Sequence, residues 1–467
     1  MNNSRRPLII SLGAVVILIV LSSCPWAEWS GGRLKDFHLF ADLMPQKVNV
    51  EAARRSAAEN VDPELLAYVD RRDSVIVHAD SVAEVVPDTL PVPVIERCTE
   101  APRRGDVVLI EDYSPEGDGL SRLKSTLSEA SGRTVRIAMV GDSYIEGDIL
   151  AQDIRAGLQR KYGGRGVGYV PAFTNFPGFR GSVVQSGAHW EEREIRKMND
   201  DPLRTILGTY FIGGDGAFSR YKGSASPDFV DYWTRSTIVF SAPREGTLTF
   251  HIAAEDSDRV FKIEPSSGLQ AISVPAVAKD LKITAELPGI KVAGVWLDSS
   301  RGIVFDDISL RGNSGISHRQ LDASTTAQMR QWIDYDLIIL EFGMNALSAA
   351  QKDYTAYGKG MEAVVMNLKS LYPNAQILVM GVGDRGTKIG TGLGSMPTVA
   401  ALVDAQRAMA HRTGSLFYDT RAAMGGDGAA VDWNRRRLLN SDYVHLNHKG
   451  GAELAEIFLE SLNQSLQ

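Results

Sequence analysis

Asp442 and His445 stand three residues apart in SDYVHLN (441–447), directly before the last helical stretch of the chain. On a turn, that spacing puts both side chains on one side. The carboxylate then accepts from one ring nitrogen, fixes the tautomer and favours the imidazolium, leaving the other nitrogen to take a proton from a serine. Ser143 is a serine in a fitting place. A β-branched apolar run from Val135 to Val140 stops at Gly141-Asp142-Ser143, and apolar residues recur at Ile145, Ile149, Ile154 and Leu158. The pattern predicts a buried strand, a tight turn and a helix. The serine is lifted to the strand's carboxyl end, where N–H groups of the helix start can meet developing negative charge. Asn345, in Phe342-Gly343-Met344-Asn345, follows a second such run, Asp336 to Glu341. Each pattern alone is also what a helix cap supplies. Together they ask for a scaffold that brings strand ends into one cleft.

Such a scaffold is legible on both sides of a central block. From Gly105 to about residue 172 come a strand-like DVVLIEDY, a helical Leu120 to Ala130, the Ser143 strand and a helix to about Tyr162. After Leu310 come helix Gln320 to Ile333, strand Asp336 to Glu341, helix Gly358 to Leu371, strand Gln376 to Met380, helix Thr398 to Arg412, strand Ser415 to Tyr418 and helix Lys449 to Leu462. Alternating strands and helices predict an α/β domain with a parallel sheet covered on both faces. Ligands of such sheets bind outside the carboxyl ends of the strands, where Ser143 and Asn345 both fall. Residues 173–310 differ: SVVQSG, STIVFSA, GTLTFHIAA, VFKIE, LKITAEL and VAGVWLD recur between Gly, Pro, Ser and Asp. Short runs at even spacing predict an all-β sandwich or jelly roll, inserted into the α/β domain. Trp190, Trp233 and Trp296, with Tyr210 and Tyr232, are read there as core first and as a sugar platform second. The GGRGVG run at 163–168 lacks the Lys-Ser/Thr of a phosphate loop and follows a helix, so it reads as a helix C-cap and turn.

The 467 residues suffice for two domains and a tail. A net charge of −7, with no basic run interleaved with aromatics, argues against nucleic acid as a partner. Arg5 and Arg6 precede an apolar run from Leu8 to Leu21, followed by Ser22-Ser23-Cys24. A basic start and an apolar segment direct the chain out of the cytoplasm. Residues 1–24 read either as a signal anchor or as a lipoprotein signal, since Leu21-Ser22-Ser23-Cys24 resembles a lipobox whose cysteine is lipidated. Both readings tether the protein to a membrane, facing the periplasm or exterior. Residues 25–104, with Pro87, Pro91, Pro93 and Pro102, read as a spacer. Cys24 and Cys98 are the only cysteines, which excludes a disulfide framework and a cysteine metal site.

The order Gly-Asp-Ser, Gly-x-Asn, Asp-x-x-His on one α/β scaffold resembles the SGNH (GDSL-like) hydrolase superfamily. Gly141-Asp142-Ser143 matches its first block, Gly343-Met344-Asn345 its third and Asp442-Tyr443-Val444-His445 its fifth. The resemblance implies a three-layer α/β/α sheet of the SGNH-hydrolase type, with the all-β module inserted. It also implies Ser143 as nucleophile, His445 as general base, Asp442 as its orienting carboxylate, and Asn345 and the Ser143 N–H as oxyanion donors. A further glycine N–H is expected from the second block, in Leu310-Arg311-Gly312-Asn313-Ser314-Gly315, with Gly315 the choice and Gly312 the alternative. A β-module between the first and second blocks is similar to the bacterial peptidoglycan O-acetylesterases, as is Ala423-Met424-Gly425-Gly426-Asp427-Gly428. In that group the module resembles a carbohydrate-binding module.

The implied activity is removal of O-acetyl groups from a cell-envelope polysaccharide, with peptidoglycan favoured, through an acetyl-enzyme and without metal or cofactor. Acetyl transfer to a sugar hydroxyl by the same triad is the alternative, and a non-catalytic glycan-binding protein the third reading. Asp142 is expected to order its turn rather than touch substrate. His448 is expected to be an exposed first-turn residue, and His189, His251 and His318 to be surface or structural. Arg385 and Lys388 are expected in a solvated loop.

Overall fold

The computed structural model describes residues 100–467, apart from 198–202, 256 and 390–391. The signal or anchor segment, Cys24, Cys98 and most of the spacer lie outside the described residues. No helix among the described residues is long and apolar enough to cross a membrane.

The first part of the α/β domain opens with short strands β1 (Arg103–Arg104), β2 (Val107–Val108) and β3 (Glu111–Asp112) and helix α1 (Gly119–Ser128). Then come β4 (Thr134–Gly141) and α2 (Ala151–Tyr162). Every residue of β4 from Val135 to Gly141 is buried, as expected of a parallel strand covered on both faces. The helix expected directly after Ser143 begins only at Ala151. A 3₁₀ turn over Glu146–Asp148 intervenes, in which Gly147 and Asp148 both take left-handed conformations. The cause is tertiary. The fully buried Asp148 accepts two 2.7 Å bonds from buried Arg155, and bonds from Ser182 and Arg180 join it across the fold. Its carboxyl is held well below the usual range, the two arginines outweighing burial.

The chain then builds nine antiparallel strands: β5 (Gly168–Val170), β6 (Val183–Glu194), β7 (Thr209–Gly223), β8 (Trp233–Ala242), β9 (Gly246–Ile252), β10 (Arg259–Ile263), β11 (Ser266–Ala278), β12 (Asp280–Glu286) and β13 (Lys291–Asp298). Strand β7 is the fork. One edge pairs with β6 along its length; the other pairs with β13 near Phe211–Ile212 and with β12 from Ala217 to Lys222. Two leaves, β13-β8-β11 and β12-β9-β10, thus diverge around a core that includes Phe211, Tyr221, Trp233, Phe240 and Phe250. Strand β12 (DLKITAE) alternates buried and half-buried residues, the period of a strand with one face inward.

The boundaries of the insertion differ from the 173–310 expected. Residues 168–170 already pair with β13, whereas β14 (Gly302–Ser309) returns to the α/β sheet, parallel to β4 with Gly302 opposite Thr134 and Ser309 opposite Gly141. The junction is a buried ion cluster. Arg136 of β4 bonds Asp298 at 2.6 Å and Asp306 of β14 at 3.3 Å; Asp298 also takes Arg235, and Asp306 takes the Trp296 indole N–H and the Tyr335 hydroxyl. Trp233 and Trp296 are buried with indole N–H groups satisfied inside, and the Trp190 N–H donates to Phe218 O. Trp233 and Trp296 are core residues, and Trp190 is half-buried against the core of the antiparallel domain. The 163–168 run does cap α2 at Gly163, and then packs against the backbone of Ile303 and Leu297.

The second α/β part adds α3 (Ala323–Met329), β15 (Leu337–Glu341), α4 (Thr355–Leu371), β16 (Gln376–Met380), a hairpin of β17 (Gly386–Ile389) and β18 (Gly392–Ser395), α5 (Val399–Arg412), β19 (Leu416–Tyr418), α6 (Thr420–Met424), α7 (Ala429–Arg435) and α8 (His448–Ser465). The sheet order is β14-β4-β15-β16-β19-β3, parallel except for β3 at one edge. Helices α2 and α8 pack together, as do α4 and α5. Register aligns Ser309, Gly141, Glu341 and Met380 across four carboxyl ends, so the residues that follow each strand emerge side by side.

Candidate active site

Gly141 ends β4 where only a hydrogen fits: a Cβ there would lie 2.5 Å from the Glu341 carbonyl oxygen. The chain turns at once, and Ser143 is left half-buried at the carboxyl end of the sheet. Its Oγ lies 2.9 Å from His445 Nε2, and His445 Nδ1 lies 2.7 Å from Asp442 Oδ2. Facing a carboxylate, Nδ1 carries the proton, and Nε2 is left as the acceptor for the serine hydroxyl.

Local structure holds the histidine loop to this task. Asp442 Oδ1 accepts the N–H groups of Val444 and His445 at 2.9 and 3.0 Å, closing the loop on its own carboxylate. A bridge between Leu439 and Leu446 clamps its base, and Asn447 caps α8 by accepting from Lys449 and Gly450. The first turn of α8 sits so close that a Cβ on Gly450 would meet Leu438 O at 1.9 Å, and one on Gly451 would meet Ile149 O at 2.0 Å. Ile149 belongs to the turn after Ser143. The two halves of the site are therefore locked backbone to backbone.

The hydrogen bond to Asp442 raises the His445 pKa, against burial and the nearby Arg311 guanidinium. Burial of Asp442 pushes its own pKa up, but the bonds from His445 and the two backbone N–H groups outweigh that and leave it lowered. A neutral imidazole is the form that can accept a proton, so the competent fraction grows as pH rises through the raised His445 pKa. We expect kcat/KM on a small acetyl ester to rise along an acidic limb above the ordinary histidine value of about 6.5. Asp442→Asn should move that limb to lower pH while lowering kcat. A limb that stays put in a pH profile of the variant would contradict the pairing.

Asp142 is fully buried and orders the turn, as expected: its Oδ1 accepts from Tyr144 N at 2.9 Å and its Oδ2 from Asn345 Nδ2 at 2.8 Å. Burial pushes its pKa up to about 6, opposed by the Tyr144 N–H, the Asn345 amide and His445. Asn345 Nδ2 also donates to Asn313 O at 3.2 Å. Asn345 is thus brought to Ser143's turn with both amide hydrogens engaged, the longer bond being the one to Asn313. Gly315 is buried in a left-handed conformation at the start of a 3₁₀ turn, and its N–H donates to Asn313 Oδ1 at 2.9 Å. Gly312 is also left-handed, and its carbonyl accepts from Arg196 at 2.8 Å.

Several residues at the site were not singled out in sequence. Asn313 brackets Asn345 with its carbonyl and Gly315 with its side chain. Arg311 pairs with Glu146 at 2.7 Å and lies near enough to His445 to depress its pKa. Glu341 is fully buried beside Asp142, its two carboxyl oxygens lack partners among the described residues, and burial raises its pKa well above the carboxylate range. Its one legible signal was a charge closing an otherwise apolar strand. Arg385 departs from the solvated loop expected. It is half-buried, donates to Met344 O at 3.3 Å, and its charge is felt by Asp442, while Lys388 is exposed on β17. Among the other histidines, His448 is exposed on the first turn of α8 and His189 is exposed in a strand irregularity. His318 is a core residue, pushed down to about 4 by burial. His251 does meet a carboxylate, Asp258 at 2.7 Å, but both are exposed. The Ala423–Gly428 stretch joins α6 to α7 beneath the turn, where Met424 Sδ lies 3.7 Å from the Tyr144 hydroxyl.

Residues 294–452 match the GDSL-like lipase/acylhydrolase family. The match begins beyond β4, since the nine antiparallel strands separate the Ser143 block from the rest. No curated protein matches the sequence. Among solved structures 58 chains match. A peptidoglycan O-acetylesterase is 22% identical, with a TM-score of 0.64 over 76% of this chain and 99% of that one. The two share a fold, antiparallel insertion included. A Bacillus subtilis protein (11% identical, 63% and 96% covered, TM-score 0.30) and a family two carbohydrate esterase from Cellvibrio japonicus (12%, 61% and 98%, 0.26) align more loosely.

Proposed function

We propose that this chain, a carboxylic ester hydrolase with an SGNH/GDSL-type domain, is a serine esterase that removes O-acetyl groups from a cell-envelope polysaccharide, peptidoglycan in the first instance. The observation that carries the reading is the chain of contacts Asp442–His445–Ser143, at 2.7 and 2.9 Å, on the carboxyl ends of a parallel sheet. The shared fold with a peptidoglycan O-acetylesterase supports the choice of substrate.

A serine hydroxyl is a weak nucleophile at neutral pH and needs an adjacent base. As Ser143 Oγ attacks the acetyl carbonyl carbon, its proton passes to His445 Nε2, and Asp442 stabilises the imidazolium. The carbonyl oxygen becomes an oxyanion, which receives the Ser143 N–H and an Asn345 amide hydrogen turned from Asn313 O. Asp142 keeps its own bond to Asn345 and so holds the amide in place. The turn carrying Gly312 and Gly315 supplies the third donor; the Gly315 N–H serves by being shared between Asn313 Oδ1 and the oxyanion. Collapse breaks the ester bond, and His445 returns the proton to the departing sugar oxygen. Water then attacks the acetyl-serine, gives a proton to His445, and acetate leaves as Ser143 Oγ regains that proton.

Export and a membrane tether belong to the same reading, supported by Arg5, Arg6, the apolar run and Cys24. An acid quench during turnover of an activated acetyl ester tests the covalent step. One acetyl group is expected on the peptide that carries Ser143. An unmodified Ser143 peptide with acetyl found elsewhere would contradict it.

A further inference from the structure

Trp233 and Trp296 are buried and Trp190 is half-buried against the core of the antiparallel domain with its indole N–H engaged, so the three form no open platform for a sugar. A cavity of about 370 Å³ opens where that domain meets the carboxyl end of β14, within the size range of small-ligand sites. Glu192 and Phe211 line it from β6 and β7, Asp307 from β14, and Arg311 from the turn beyond. Phe176 and Phe179 stand at it, on the connection between β5 and β6, 62% and 43% exposed. Two exposed phenyl rings beside a cavity are unusual on a solvated surface, and they offer flat apolar faces.

The polar groups are equally telling. Asp307 is buried, its Oδ1 has no hydrogen-bond partner among the described residues, and burial pushes its pKa up to about 8. Burial thus favours its protonated form, which can give one hydrogen bond and accept another. Glu192 is exposed on β6, at the cavity wall, and desolvation together with the neighbouring Glu194 raises its carboxyl. The Arg311 guanidinium lies 5.8 Å from the Phe176 ring centre, joins the cavity to Glu146 just past Ser143, and reaches His445 electrostatically. A long acyl chain would strand these carboxyls against hydrocarbon, at a cost of roughly 1–3 kcal/mol per unpaired group. A sugar ring satisfies both kinds of wall, with C–H faces for phenyl rings and hydroxyls for carboxyls.

We propose that this cavity is a saccharide subsite, which receives the hexose next to the acetylated one, with Phe176 and Phe179 as stacking faces and Asp307 and Glu192 as hydroxyl partners. The choice of glycan rests on the esterase reading; the subsite itself is tested without turnover. The probe is a tetrasaccharide of alternating N-acetylglucosamine and N-acetylmuramic acid, titrated calorimetrically into full-length Ser143→Ala protein. Binding is expected, weakened about tenfold by adding Phe176→Ala, the scale of one lost stacking contact. Glu192→Ala, at a second wall, should also weaken it. In the Ser143 protein, Phe176→Ala should reduce kcat/KM for acetylated polymer about tenfold more than for a small acetyl ester. No binding, or affinity that neither substitution changes, would overturn the subsite. Equal losses on polymer and small ester would do so too. Failure of the esterase reading would show separately, as a wild-type protein that binds the tetrasaccharide yet releases no acetate.

Discussion

Ser143→Ala is expected to abolish ester hydrolysis and leave the fold intact. Oγ is the atom that would form the covalent bond, and nothing else within reach replaces it. His445 Nε2 would face a methyl group, with no hydroxyl to deprotonate. Removing the nucleophile of such a triad costs roughly 10³- to 10⁶-fold in kcat, with a remainder from the oxyanion donors and binding. Stability should change little, because the serine is half-buried and loses one hydrogen bond, worth about 1 kcal/mol. Turnover of a small acetyl ester and thermal unfolding, run side by side, separate the two effects. A variant within tenfold of the parent would rule Ser143 out as nucleophile.

Asn345→Ala should also cause a large loss, and its character matters more than its size. An oxyanion donor acts on charge that exists only in the transition state, so kcat should fall about 10²- to 10³-fold with KM much less affected. The same substitution takes from buried Asp142 the 2.8 Å bond that helps keep it ionised. The Asp142 pKa should therefore rise above its present value of about 6. A change confined to KM would place Asn345 in ground-state binding instead.

The parts legible in the sequence are those with local causes. Strands buried on both faces need unbroken apolar runs, so β4, β15 and β16 stood out, and Gln376–Met380 was placed to the residue. The Ser143, Asn345 and Asp442/His445 blocks were legible because a fixed chemistry needs fixed residue types, the first two just past strand ends and the last in the loop before the final helix. What was missed depends on partners distant in the chain. Strand β14 follows β13 after a three-residue gap and was read with the insertion, whereas its partner β4 precedes the whole antiparallel domain. The helix expected from Ile145 is delayed because Asp148 turns inward to Arg155 and Arg180. The engagement of the Gly315 N–H by Asn313, and of Asn345 by Asp142, is side-chain geometry that spacing does not encode. Arg385 and the β17–β18 hairpin sit in a glycine-rich stretch whose composition suggested solvent, yet its first residues pack against Tyr443 of the histidine loop.

The most direct measurement is acetate released from O-acetylated peptidoglycan by the purified full-length chain, with Ser143→Ala alongside. Serine-dependent acetate release is the expected result, with the variant at background. Acetate released equally by both proteins, or none from this polymer while a small acetyl ester is still hydrolysed, would contradict the proposed activity.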